Sequence, residues 1–208
     1  MPFAPLWFRY LGRVVAPIFF FLAVEGFSHT RSRPRYMARL FGAGLIMSIG
    51  SSILTHIFPT SSTLPNNIFF SLGLGVALMS TLEWSRESDS LCLGILAVLL
   101  LVGASLFTEA HLYGVMMILV FYFFRQRTDL LIISYIMASL LPALAGSHNL
   151  NQLLFHNYQW MMVFALPFLL LYNGEPGPRT SMTKWFFYVF YPVHLWVIYW
   201  LSYLIART

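Results

Sequence analysis

Apolar blocks follow one another along this 208-residue chain, each near the length that crosses a bilayer and each closed by a short polar segment. A hydrocarbon core of about 30 Å calls for roughly 20 mostly apolar residues in a helix, with about 17–25 common. Eight segments are predicted to span: 10–26, 38–58, 67–82, 91–107, 112–124, 130–145, 158–173 and 185–205. The fifth is short enough to lie buried or tilted, and the allowed count runs from seven to nine. Pro167 predicts a kink in the seventh, and the last carries Pro192. Only 9% of the residues are charged, where a soluble domain carries about 25%. Hydrophobic residues make up 59% and the mean hydropathy is +0.73. This excludes an ordinary soluble enzyme, a coiled coil and a disordered chain. Solid apolar blocks also argue against an outer-membrane barrel, whose alternating strands give a weaker signal. The expected fold is all-α: a polytopic helical membrane protein, with residues 1–208 forming one transmembrane domain without internal repeats.

Lys and Arg set the expected sidedness. Arg31, Arg33, Arg35 and Arg39 fall in the first loop, Arg86 in the third, Arg125 and Arg127 in the fifth, and Arg179 and Lys184 in the seventh. The even-numbered loops, 59–66, 108–111 and 146–157, hold no Lys or Arg. The odd loops are therefore expected to face the cytoplasm of a bacterial inner membrane, with both ends of this chain on the other side. The net charge of +5 is thus a topology signal, and no nucleic-acid partner is expected. No cleavable signal peptide is read at the start, so the first helix is expected to be an anchor. The single cysteine, Cys92, excludes an internal disulfide.

Ionisable groups at membrane depth are costly, and by default they mark function. Arg13 lies in the first span, Glu25 near its far end and His29 just beyond. Arg13 and Glu25 are about 18 Å apart along a helix, so each needs a partner elsewhere. Glu25 and His29 share a face at i and i+4. His194 is near mid-membrane, two residues after Pro192, which frees the Tyr188 carbonyl. An imidazole there can serve as a general base or as an interhelical hydrogen-bonding group. Glu109, His111 and Tyr113 form an outer cluster that solvation explains, and His56, His148 and His156 sit in or beside outer loops. No His pair has metal-ligand spacing with a carboxylate, so no metal is expected. The basic run from Arg31 to Arg39 is explained by topology and by attraction to anionic lipid. It also suits docking of a phosphorylated cytosolic donor. The 173–179 turn lacks phosphate-loop spacing.

Several of these residues sit in segments that resemble the TraX family, named for a plasmid protein that acetylates the N-terminus of pilin. The resemblance begins with Gly12-Arg13-Val14-Val15-Ala16-Pro17-Ile18-Phe19 and Glu25-Gly26-Phe27-Ser28-His29-Thr30. It continues through Asn67-Ile68-Phe69-Phe70-Ser71-Leu72 and Tyr113-Gly114-Val115. Its strongest part is Leu171-Tyr172-Asn173-Gly174 with Phe187-Tyr188-Val189-Phe190-Tyr191-Pro192-Val193-His194-Leu195. Family members begin with a further helix bearing an Asp-His pair, to which nothing before Pro5 corresponds. Such a helix would also put the N-terminus in the cytoplasm.

The resemblance implies transfer of an acetyl group from cytosolic acetyl-CoA, the donor substrate, to an amine or hydroxyl of a surface component. Pilin or an envelope glycan would be that acceptor. Arg13, Glu25, His29, Asn67, Tyr113, Asn173, Tyr191 and His194 occupy the family's motif positions. Such chemistry needs a base, an oxyanion donor and positioning. His194 is the first expected base and His29 the second, with Arg13 and Glu25 as charged partners. Asn173 or Tyr191 would face the oxyanion, and Arg31, Arg33 and Arg35 the phosphates of coenzyme A. Arg13 and His194 are expected to line one polar pocket. The alternative is a non-catalytic membrane subunit that assists assembly or export of a surface polymer alongside a membrane partner subunit. A solute transporter is the third reading, disfavoured because two similar interrupted halves are absent.

Overall fold

The structure is a computed structural model that describes residues 6–59, 67–145, 150–155, 157–175 and 180–205. Among the described residues every regular element is helical. In chain order they are α1 (Leu6–His29), α2 (Arg33–Ile57), α3 (Ile68–Glu87), α4 (Leu91–Ser105), α5 (His111–Phe124), α6 (Thr128–Ala145) and α7 (Leu150–Phe155). A 3-10 helix (Tyr158–Ala165), α8 (Leu166–Leu170) and α9 (Ser181–Ile205) complete them. The protein is an all-α membrane protein.

Four helical stretches, Tyr10–His29, Arg33–Ile57, Ile68–Glu87 and Trp185–Ile205, are long and apolar enough to cross a membrane. Shorter apolar stretches cover Leu91–Ser105, His111–Phe124, Thr128–Leu141 and Tyr158–Leu170. The last of these differs from the kinked α-helix expected over 158–173. The chain runs as a 3-10 helix to Ala165 and becomes α-helical at Leu166, with Pro167 in the first turn. Proline is well suited to a first turn, since its missing N–H has no intrahelical partner there. A 3-10 helix rises about 2.0 Å per residue against about 1.5 Å in an α-helix, so this short stretch reaches further across the bundle.

α1 packs on the 3-10 helix, α5 and α3; α3 also meets α2, α4 and α5; α6 lies against α5 and the 3-10 helix. The core sits where α1, α3 and α5 meet, around Val24, Phe69, Val76, Met79, Ile118 and Phe121. Between apolar helices in lipid the hydrophobic drive is weak, so close packing holds them together. Gly75 supplies it: a Cβ there would stand 2.7 Å from the Ile118 Cδ1. Tyr135, buried in α6, donates its hydroxyl proton to the Met162 carbonyl of the 3-10 helix. This bond satisfies a buried phenol and joins two elements of the bundle.

α9 runs alongside α2 in the same direction. Trp196 Nε1 donates to Ser51 Oγ at 3.1 Å, and the Tyr199 hydroxyl donates to the Phe58 carbonyl at 2.9 Å. Aromatic rings join it to the core, with Phe187 and Tyr191 both against Phe19 and Phe69.

Candidate active site

Polar side chains gather in two groups at the two ends of the bundle. The first is at the end that leads into the basic 31–39 run. Phe20, Val24 and Phe27 draw this part of α1 into the core, and Glu25 is carried in with them at 6% exposure. A carboxylate this buried needs a cation, and Arg125, directly after α5, supplies it. Its Nε donates to Glu25 Oε1 at 2.6 Å and its Nη2 to Oε2 at 3.0 Å. This fork-on-fork geometry is the strong form of an ion pair. The hydrogen bonds to Glu25 raise the Arg125 pKa, against the opposing effect of burial. Tyr172 lies within electrostatic reach of both partners, its ring edge-on to Phe21 at 5.4 Å.

His29 is one helical turn beyond. Its Nδ1 lies 2.9 Å from the Glu25 carbonyl oxygen and 3.9 Å from Glu25 Oε2. A carbonyl only accepts, so Nδ1 carries the proton in that bond, and Nε2 is the acceptor of the ring in its neutral form. A second ion pair stands beside it. Arg33 donates to Glu83 Oε2, and the Tyr122 hydroxyl donates to Oε1 at 3.2 Å. The Arg33 guanidinium also lies over the Phe27 ring, 4.9 Å from its centroid. Arg31 and Arg35 are exposed. Asn173 is exposed in a tight turn: its Oδ1 accepts from the Glu175 N–H at 3.1 Å, and Gly174 has φ +75°. The positive φ favours glycine at 174.

The second group lies toward the other end. The Asn67 Nδ2 donates to the Gly44 carbonyl at 2.6 Å and to Ser48 Oγ at 3.0 Å, tying the start of α3 to the middle of α2. The Tyr191 ring packs among Phe19, Phe69 and Phe187, with its phenol in electrostatic reach of Glu109. His194 is half-buried. Its Nδ1 bonds the Phe190 carbonyl at 2.9 Å, and its ring stacks on Phe190 at 5.0 Å and meets Tyr191 edge-on at 5.5 Å. Arg13 is exposed, in electrostatic reach of Tyr113. Among the described residues no hydrogen bond or ion pair joins Arg13 to His194. His148, His156 and residues 176–179 lie outside the described residues.

Of the expected site residues, Glu25 and His29 thus share one ion-pair group with Arg125, Arg33 forms another with Glu83, and Asn173 is one residue beyond Tyr172. Arg13 and Tyr113 form a second group, and Tyr191 and His194 an aromatic third. The TraX protein family matches residues 4–202, nearly the whole chain. The chain belongs to the TraX family. It is similar to a probable fimbrial assembly protein, FimC of serogroup H1, from Dichelobacter nodosus. The two are 28% identical over 203 residues, covering 90% of this chain and 79% of that protein. No solved structure matches this chain.

Four residues of this TraX chain's charged cluster, Arg125, Glu83, Tyr122 and Tyr172, were not picked out by reading the sequence for site residues. Arg125 reads there as one more loop cation, useful for sidedness alone. A signal did exist: Glu25 at membrane depth requires a cation. Nine Lys and Arg residues fall in loops of the same class, and no spacing selects among them. Only the packing of α5 against α1 makes the choice.

Proposed function

We propose that this TraX-family chain is a membrane-embedded acetyltransferase. It would move an acetyl group from cytosolic acetyl-CoA to an amine or hydroxyl of a surface component, a pilin N-terminus or an envelope glycan. Its site is the bacterial inner membrane, with the arginine-rich loops in the cytoplasm. One observation carries the reading: a buried carboxylate, its arginine and a histidine with a free Nε2 converge at the basic end of α1.

In this reading exposed Arg31 and Arg35 take the phosphates of the donor, as guanidinium groups do. His29 Nε2 accepts the proton of the attacking amine or hydroxyl. The new bond forms to the acetyl carbon, the carbon–sulfur bond breaks, and the same proton passes to the leaving thiolate. Glu25, held by Arg125, favours the imidazolium that exists in between. His29 takes precedence over His194 as the base because the Glu25 carboxylate lies 3.9 Å from the first while aromatic rings flank the second. Arg13, Tyr113 and His194 then belong to the acceptor's side.

The test is acetyl transfer from acetyl-CoA by purified protein, with a pilin N-terminal peptide and an envelope glycan as acceptors. His29→Ala is expected to lower turnover by about 10²-fold or more, the usual contribution of a general base. A loss on His194→Ala with His29→Ala unaffected would move the base to α9. The name of the similar Dichelobacter nodosus protein favours a second reading, a non-catalytic membrane subunit that assists fimbrial assembly. Absence of both donor binding and turnover in the folded wild type would decide for it.

A further inference from the structure

Between α2 and α9 lies a groove of about 430 Å³, lined at one end by Arg39 and Trp185 and at the other by Pro192, Val193 and Trp196. Small side chains open it on the α2 side, at Ala38, Gly42 and Ala43. A Cβ added at Gly42 would meet nothing within 4 Å. Its volume lies in the range of about 300–1,000 Å³ typical of small-molecule sites.

We infer that this groove binds one acyl chain of an anionic phospholipid, with the lipid phosphate on Arg39. Three observations converge on that occupant. The first is charge. Arg39 Nε is buried and has no hydrogen-bond partner. The carboxylates on the neighbouring helices are engaged elsewhere, Glu25 by Arg125 and Glu83 by Arg33. The Arg39 guanidinium lies over the Tyr36 ring, 5.6 Å from its centroid, and within electrostatic reach of Tyr188, neither of which is an anion. A buried donor without an acceptor calls for a ligand that provides one, and a phosphate oxygen does.

The second observation is length. From Trp185 to Trp196 the α9 wall rises about 16 Å, close to half of a bilayer core of about 30 Å. One leaflet's acyl chain has that reach. The third is position. Arg39 is about 9 Å from the start of α2, at the end of the groove where a headgroup would lie. Trp185 stands at the same end, as tryptophan does at membrane interfaces. Beyond it the lining is apolar, and basic pockets between transmembrane helices are known sites for anionic headgroups.

The experiment is native mass spectrometry of the full chain after incubation with vesicles of phosphatidylglycerol or of phosphatidylcholine. Wild type is expected to retain one phosphatidylglycerol per chain, preferred about tenfold over phosphatidylcholine. Arg39→Gln should erase that preference. Gly42→Phe, whose Cβ would meet nothing within 4 Å and whose ring would enter the groove, should remove retention of both lipids while the far-ultraviolet circular dichroism is unchanged. If Arg39→Gln does not fold, Gly42→Phe decides. Equal retention of the two lipids by wild type, or undiminished retention by Gly42→Phe, overturns the inference. So does displacement of the lipid by acetyl-CoA, which would give the groove to the acyl donor. None of these readouts depends on acetyl transfer, so the inference and the proposed enzyme activity fail separately.

Discussion

Glu25 is buried inside the helical bundle, and its charge is tolerable only because Arg125 matches it with two hydrogen bonds. Removing one member of a buried pair costs about 3–5 kcal/mol, mostly because the other charge is left uncompensated. Arg125 is about one-third exposed, and solvent screening takes Arg125→Gln below that range, to about 2–3 kcal/mol. The double variant Glu25→Gln with Arg125→Gln buries no charge and should regain part of the loss. Thermal unfolding in detergent of the four proteins measures this, and an additive double variant would show that the pair is not coupled. The requirement for a partner was legible from Glu25 alone. The partner's identity was not, because residue 125 is a hundred positions away and resembles every other loop arginine. The same limit applies to Arg33 and Glu83, which meet only after α2 folds back against α3.

The helical class itself followed from solid apolar blocks of membrane-spanning length. What they touch did not. α3 meets α5 so closely that a Cβ on Gly75 would be 2.7 and 2.8 Å from two Ile118 carbons. Overpacking of this kind costs about 1–3 kcal/mol. Gly75→Leu is therefore expected to lower thermal stability by that amount, and Ile118→Ala in the same chain to relieve part of it. Gly12→Leu is the control, since a Cβ there meets nothing within 4 Å. Equal effects of Gly75→Leu and Gly12→Leu would mean that the α3–α5 contact is not tight. The region from Tyr158 to Leu170 shows the opposite limit of sequence reading. Apolar character marks it as a membrane segment, but hydropathy is blind to the difference between 3-10 and α-helical winding. The Asn157 side chain and Pro167 define the two ends locally, and the Tyr135 hydroxyl holds the segment from α6.

Across the molecule, the basic 31–39 run, Arg86 and Arg125 mark one end of the bundle, and the proposed chemistry needs that end in the cytoplasm. Single cysteines in a Cys92→Ser background test this. A membrane-impermeant maleimide should label Phe107→Cys, at a position 92% exposed, in intact cells. Gln126→Cys should react only after lysis, and the reverse pattern would invert the molecule and remove the cytosolic donor from His29. Membrane residence, helical class and family kinship could all be read from the chain alone, because solvation by hydrocarbon acts on each segment independently and leaves its mark in composition. The pairing of Glu25 with Arg125 and the opening beside Arg39 could not. Each depends on which faces of different helices meet, and that is set by the joint packing of small residues, rings and ion pairs from segments far apart along the chain.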